Sequence, residues 1–517
     1  MSQRRALAVT LAPQPFKQAK EACLAGKRRL FLAAPGPLSG KVDKAFVDPA
    51  SFLFIEIPRE ILMRTAVPAE ALREAIAFMA AGEEGVPDRD QMTALIRSID
   101  PGLRDADGDP HRTSAGPAFL LEAVGTNAIR FPSPYRRREV LPPADALQAL
   151  EAAARQRREN VRPSFCVGVK AWNRTAIEAA FGSSDHPVTF CASVEDAIDR
   201  AAGRGGRVLC WAGASSRSAE AIAAARQVPF LRIEDGFLRS VGLGAGLVRG
   251  ASFAVDDLGI YFDATRPSRM EERLNNASLG EGEIARGALL REMIVAGRVT
   301  KYNVGSRGHS LELPQEREIL LVPGQVGDDA GIRKSISPLI DCERTENANL
   351  DLLRLVRARN PGAHILFKPH PDVQAGLRRG KVEDADLRGL ADQVVTDIDI
   401  LELLDVCDRV ETISSLSGFE ALMRSKPVTV YGMPFYAGWG LTDDIGLSAH
   451  RNARRTIDEL VYIAFVDYIR CIDPVTLKPC SPEFLIGQLA RLRGNRLHGL
   501  KARALRELSW LGRKLGL

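Results

Sequence analysis

From Pro163 onward the chain alternates short apolar runs with helix-like segments, and it does so twice. The first set of runs is Phe165–Val169, Val188–Phe190, Arg207–Trp211 and Val228–Ile233. Helical spacing falls between them, at Thr175–Phe181, around Ala197 and Ile198, and over Ser216–Arg226. The second set is Arg317–Pro323, His364–Pro371, Val394–Thr396, Arg409–Ile413 and Pro427–Tyr431. Its intervening helices fall at Ala348–Asn360, Ile400–Val406 and Ser414–Met423. Such alternation predicts parallel, doubly wound sheets. Two successive sets predict two Rossmann-like domains facing across a cleft, at residues 161–310 and 311–480. Between the sets, Ser252–Phe262 reads as a hairpin with Asp257 near its turn, and Glu281–Gly297 as a helix.

A chain of 517 residues exceeds one core, so further regions are expected at both ends. Residues 1–160 form an N-terminal extension without readable chemistry. Strands are expected at Arg28–Ala33 and Ser51–Ile57, helices at Pro68–Ala81 and Ala144–Arg158, and a loop at Gly82–Gly108. Residues 481–517 close on a basic stretch whose leucines, from Leu489 to Leu515, recur near helical period. That stretch fits either an anionic membrane surface or the protein's own flank. No apolar run reaches eighteen residues, and the N-terminus makes a poor signal peptide, so a cytoplasmic protein is expected. Eight cysteines without a Cys-x-x-Cys pair indicate neither zinc nor a disulfide framework. A net charge of +5 gives no reason to expect nucleic acid.

The chemistry gathers at expected strand ends, where open α/β sheets bind ligands. Glu234 and Asp235 end one run, Gly236 permits a sharp turn, and Arg239 follows. Adjacent carboxylates can divide labour, one as nucleophile or base and the other as acid. A plain loop ion pair with Arg239 would account for the same residues. In the second set, Lys368-Pro-His-Pro371 puts two phosphate donors, Lys368 and His370, at a strand end. Ser414, Ser415, Ser417 and Gly418 open a helix and suit either capping or an anion. Gly324-Gln-Val-Gly-Asp-Asp329 is a third polar loop. Its glycines match neither a dinucleotide fingerprint nor a P-loop, which argues against NAD and ATP hydrolysis. Asp397-Ile-Asp399 has metal-site spacing but leads straight into a helix, so it is read as a cap and no metal is expected.

Taken together, these segments resemble the KpsC-type capsule polysaccharide proteins, the retaining β-Kdo transferases of capsule lipid-linker synthesis. The matching stretches are Ile233–Gly244, Asp256–Asp263, Val322–Asp329, Lys368–Asp372, Ser414–Leu422 and Tyr431–Thr442, in the family's order. The resemblance covers roughly residues 160–480 and implies a GT-B-like fold, with 161–310 on the acceptor side and 311–480 binding the CMP-sugar. It also implies CMP-β-Kdo as donor substrate with no cofactor, a lipid-linked sugar acceptor, and work beside the inner membrane with other capsule assembly proteins. More distantly, the chain is similar to GT-B sialyltransferases, through Glu234-Asp235-Gly236, His370-Pro371 and Ser414-Ser415. The carry-over makes Asp235 the catalytic carboxylate, with Glu234 as acid/base. Lys368, His370, Pro371, Ser414, Ser415 and Gln325 hold the nucleotide, and Arg239, Asp257, Tyr436 and Trp439 meet the sugars. The chain carries one set of motifs where the best-known members carry two modules. Residues 1–160 are therefore expected to be a degraded module or an unrelated addition. A non-catalytic assembly factor and a UDP-sugar epimerase of similar architecture are the rival readings.

Overall fold

The computed structural model describes residues 131–136, 140–141 and 143–493, apart from 184, 242–247, 302, 304–310, 377 and 447. It also describes short strands at 5–6, 8–10, 31–33 and 56–57. The expected helix Pro68–Ala81, the loop Gly82–Gly108 and the stretch beyond Arg493 lie outside the described residues. The chain divides into two compact bodies: residues 1–161, 179–187 and 475–481, and residues 162–178, 188–474 and 482–517.

Within the first body, the Ala- and Arg-rich segment forms a helix over Pro143–Glu159. Tyr135 Oη donates to the Pro479 carbonyl at 2.9 Å. Parts of the two expected early strands are present at Phe31–Ala33 and Glu56–Ile57.

The second body carries both doubly wound sets. Its first sheet is built from β1 (Ser164–Val167), β2 (Val188–Phe190), β3 (Arg207–Trp211), β4 (Phe230–Asp235) and β5 (Ser252–Asp256). Its second sheet contains β6 (Ile319–Pro323), β7 (His364–Lys368), β8 (Gln393–Val394), β9 (Arg409–Thr412), β10 (Val428–Val430) and β11 (Asp443–Asp444). β12 (Ile469–Ile472) then returns to the first sheet.

The first sheet runs β12-β5-β4-β3-β1-β2. Strands β1 to β4 pair in parallel, whereas β5 lies antiparallel between β4 and β12. The expected hairpin over Ser252–Phe262 is therefore not formed. Asp256 ends β5 by accepting the N–H groups of Leu258 and Gly259 at 2.9 and 2.7 Å, and the chain turns away. A hairpin and a single strand with a capping aspartate share the same apolar run, which is why the pattern misled.

The second sheet is parallel throughout and ordered β8-β7-β6-β9-β10-β11. Counted along its own strands this is 3-2-1-4-5-6, the dinucleotide-fold order whose direction reverses between strands 1 and 4. β6 is buried along its whole length, as expected for a strand covered on both faces. Leu320, Val322, Ile365 and Phe367 pack there against Leu352, Leu353 and Val356 of helix α1 (Ala348–Arg359).

Helix α2 (Ile400–Val406) begins at Asp399, whose carboxylate accepts the Leu401 N–H at 3.1 Å. The Asp397-Ile-Asp399 spacing is thus a cap, as expected. Helix α3 (Leu416–Leu422) follows β9 and is capped by Ser415. Helix α4 (Pro482–Arg493) begins before the leucine-rich stretch and packs on the body, with Leu489 fully buried and Arg493 paired to Asp399.

Candidate functional site

The reversal between β6 and β9 is where a doubly wound sheet opens a crevice, since the loops leaving those strands diverge to opposite faces. Gln325 occupies it. Its side-chain oxygen accepts from Thr412 Oγ1, Ile413 N and Ser414 N, each at 3.2 Å. Its amide nitrogen donates to Ser414 Oγ at 3.1 Å, and Asn349 holds its backbone through both of its own amide atoms. Gln325 therefore braces the serine loop, and its side-chain bonds are spent inside the protein. Ser414 Oγ donates onward to the Gly331 carbonyl at 2.9 Å. Ser415 Oγ accepts the Ser417 N–H at 3.2 Å.

His370 stands beside this loop because Gly324 N donates to the Lys368 carbonyl at 2.7 Å, bringing the ends of β6 and β7 together. His370 Nδ1 accepts the Asp372 N–H at 3.2 Å, capping a single helical turn that starts at Pro371. An acceptor Nδ1 fixes the neutral tautomer with its hydrogen on Nε2, leaving a donor for a ligand. Burial lowers the histidine's basicity, although Asp372 and Asp329 oppose the effect. Lys368 Nζ donates to the Thr396 carbonyl at 3.2 Å, and its ammonium is destabilised by burial despite Asp399 and Asp397 nearby.

Gln325, Lys368, His370, Pro371, Ser414 and Ser415 all line one cavity of about 610 Å³, of the size that takes a nucleotide-sized ligand. The same walls include Tyr261, Lys301, Asp329, Glu420 and Phe435. Sequence reasoning named none of these five as site residues, although Asp329 ends the third polar loop it singled out. Glu420 lies inside the serine segment, where only hydroxyls drew notice. Lys301 lies on a connector with no motif. Glu420 accepts the Lys301 N–H at 3.2 Å, and burial pushes its carboxyl up to about 7.

The acid pair ends β4 in the first sheet. Gly236 has no left-handed backbone there. It is needed because a Cβ would sit 2.3 Å from Ser252 Oγ on β5, so close approach rather than turning explains this glycine. Consecutive strand residues face opposite ways. Glu234 is half-buried, and burial first, then the Asp235 carboxylate, push its carboxyl up to about 8, with Lys301 pulling it down and Asp329 raising it. Asp235 forms an ion pair through Oδ2 with Arg239 Nε at 2.6 Å. Its Oδ1 is buried without a hydrogen-bond partner, 2.9 Å from where a Cβ on Gly250 would stand. Neither carboxylate is itself part of the cavity wall. Tyr261 joins them to it, donating to the Asp235 carbonyl at 3.4 Å.

The residues expected to meet sugars are placed otherwise. Arg239 is 2% exposed and committed to Asp235 and Ser240 Oγ, so it orients the carboxylate. Asp257 forms a two-point ion pair with Arg269, at 2.9 and 2.7 Å, away from the cavity lining. Tyr436 and Trp439 are fully buried and present no surface to a ligand. Tyr436 Oη donates to the Ser415 carbonyl, and Trp439 Nε1 to the Phe435 carbonyl at 2.8 Å. Large aromatics with one polar tip serve well as such braces. No cluster of metal-binding side chains occurs among the described residues, and none of their helices is long and apolar enough to cross a membrane.

Two doubly wound sheets, with chemistry at their carboxyl ends, define a GT-B-like α/β protein. The chain belongs to the capsule polysaccharide biosynthesis protein family, matched over residues 207–289 and 288–472. It is similar to the capsule polysaccharide modification protein LipA of Neisseria meningitidis serogroup B, at 39% identity over 319 residues, which are 62% of this chain and 44% of LipA. It thus spans less than half the length of that relative. The lipopolysaccharide-processing protein LpsZ of Rhizobium meliloti is 41% identical over 263 residues, 50% of this chain and 58% of LpsZ. Among solved structures, the KpsC beta Kdo 2,4 transferase of Thermosulfurimonas dismutans aligns with a TM-score of 0.55 at 31% identity, covering 65% of this chain and 99% of its own. The beta Kdo 2,7 transferase of the same KpsC aligns with a TM-score of 0.51 at 30% identity, covering 64% and 99%.

Proposed function

We propose that this chain is a retaining glycosyltransferase that moves β-Kdo from CMP-β-Kdo to a glycolipid acceptor in capsule polysaccharide synthesis. The two aligned KpsC structures are Kdo transferases, which supports the sugar. The observation that carries the chemistry is the state of the acid pair. Asp235 has one oxygen fixed by Arg239 and the other buried without a hydrogen-bond partner, while burial pushes the Glu234 carboxyl up to about 8.

Retention follows from two displacements or from a front-face route, and the carboxylate pair supports the displacements. In the first, Asp235 Oδ1 attacks the anomeric carbon and the bond to the phosphate oxygen breaks, its electron pair leaving with CMP. His370 Nε2–H and Lys368 stabilise the phosphate charge. In the second, the acceptor hydroxyl attacks the same carbon, the Asp235 ester bond breaks, and the hydroxyl proton passes to Glu234. Glu234, which gives its own proton to the leaving phosphate oxygen in the first step, is then ionised and serves as the base in the second. The acceptor sits on the first-sheet side, and the lipid-linked acceptor brings the protein to the membrane surface.

The test is transfer from CMP-Kdo, generated in situ, to a synthetic lipid ending in Kdo, with Asp235→Ala alongside. A product heavier by one Kdo, absent with the variant, is expected. Product formation undiminished in the variant would remove Asp235 from the reaction, and CMP binding without turnover by the native protein would favour a non-catalytic assembly role.

A further inference from the structure

We propose that Lys301 is a donor-binding residue of the cleft, its ammonium taking the sugar carboxylate of a nucleoside monophosphate-linked ulosonic acid. This rests on the reading above and assigns the one donor charge that reading leaves without a partner. In such a donor the anomeric carbon carries both the phosphate oxygen and a carboxylate. With the phosphate at His370 and Lys368 and the anomeric carbon at Asp235, the sugar carboxylate falls among Glu234, Asp235 and Asp329. An added anion there is repelled unless a cation stands beside it.

Among the described residues lining the cavity, the lysines and arginines are Lys301 and Lys368 alone. Lys368 is 9% exposed, bound to the Thr396 carbonyl, and turned to Asp397 and Asp399. Arg239 is committed to Asp235 and lies outside the wall. Lys301 is held in place from both sheets. Its carbonyl accepts the Arg239 and Ser240 N–H groups at 3.2 Å each, from the loop that follows the acid pair. Its N–H donates to Glu420 on α3, from the serine segment. Its charge is felt by Glu234 and Glu420, whose carboxyls it pulls down, and by His370. Lys301 therefore stands between the carboxylates and the phosphate donors.

The test compares CMP with the intact donor, using Lys301→Met and Lys301→Arg. CMP has the phosphate and lacks the sugar carboxylate. In Lys301→Met, calorimetry should give a CMP Kd within about threefold of native, which also reports that the cleft is folded. Donor kcat/KM should fall roughly 10- to 100-fold, chiefly through KM, as for loss of a charge-assisted hydrogen bond. Lys301→Arg should recover part of the loss, which a merely structural role would not predict. CMP binding weakened as much as donor use would make Lys301 a phosphate ligand and overturn the assignment, as would unchanged donor kcat/KM in an active enzyme. Native protein that neither binds CMP nor transfers Kdo would overturn the donor reading itself, and Lys301 with it.

Discussion

The two sheets of the larger body present their carboxyl ends to chemistry in opposite ways. In the second sheet every strand is parallel, and the loops that follow β6, β7 and β9 are braced by one another through Gln325, Gly324 and Ser414. What this leaves toward the cavity is the donors His370 and Lys368, with the carboxylates Asp329, Asp397 and Glu420 beside them. In the first sheet the parallel order stops at β4, and the acid pair lies against antiparallel β5, itself held by β12 from far along the chain. There the polar groups are under electrostatic stress: a half-buried Glu234 with a raised pKa, and an unpartnered Asp235 oxygen. A braced wall that carries phosphate donors suits holding a substrate, and an acid pair with an unpartnered oxygen suits attacking it.

The strongest way to break this division is to remove one group from each side. Asp235→Ala should lower transfer by roughly 10³-fold or more while leaving CMP affinity near native, since removing a nucleophile acts on the transition state. His370→Ala should weaken CMP binding by roughly 10- to 100-fold through loss of its Nε2 donor. Equal loss of CMP affinity in both variants, measured by calorimetry, would mean that the two sides do not divide binding from attack.

Gln325 tests whether the second sheet's wall is as braced as its bonds imply. Gln325→Ala leaves Ile413 N, Ser414 N and the Thr412 hydroxyl without their acceptor in a buried place. A loss of about 2–3 kcal/mol in denaturant stability is expected, together with weaker CMP binding as Ser414 loosens. Unchanged stability would show that water replaces the amide at no cost.

That contrast also separates what could be read from the sequence. Short apolar runs and their helices located β1 to β4 and most of the second sheet, because local pattern determines a strand covered by its own neighbours. The cavity positions of Lys368, His370, Ser414 and Ser415 were legible for the same reason: Lys368 ends β7, and the others follow within three residues of a strand end. The return of β12 was not legible, nor was the cleft position of Lys301, since both depend on contacts between distant segments. Tyr436 and Trp439 were misread because a loop rich in glycine and aromatics looks alike whether its rings face solvent or, as here, the core. Arg239 was placed beside Asp235 by its spacing, but spacing could not say that burial would commit it there.

The first sheet's stress has a pH signature. It is matched across the cavity: Glu234 of the first sheet and Glu420, on α3 of the second, both keep their protons in the folded state well above the usual carboxylate range, to about 8 and about 7. Between pH 4.5 and those values the folded chain therefore binds more protons than the unfolded chain, so these groups make stability fall as pH rises. Each group contributes a slope of at most about 1.4 kcal/mol per pH unit. Glu234→Gln should flatten the fall between pH 5 and 8 in denaturant titrations, and Glu420→Gln should flatten it between pH 5 and 7. Identical slopes in native and Glu234→Gln proteins would mean that Glu234 is ionised in the fold at neutral pH, removing the basis for its role as an acid.

The smallest effect is expected at Asp257, which follows β5 at the end of that strand away from the acid pair, since Asp256 is paired with Arg232 and Phe253 with Asp235. Its ion pair with Arg269 is half exposed on both sides, at 45% and 39%. Solvent screens such pairs and side-chain entropy opposes them, so Asp257→Asn should cost less than about 1 kcal/mol. Its KM for donor and acceptor should stay within about twofold of native, because the cavity walls do not include it. A tenfold rise in acceptor KM would extend the acceptor surface along the first sheet to the loop after β5. The working part of that sheet would then reach past its acid pair, and the two sheets would differ in the breadth of their binding surfaces as well as in their charge.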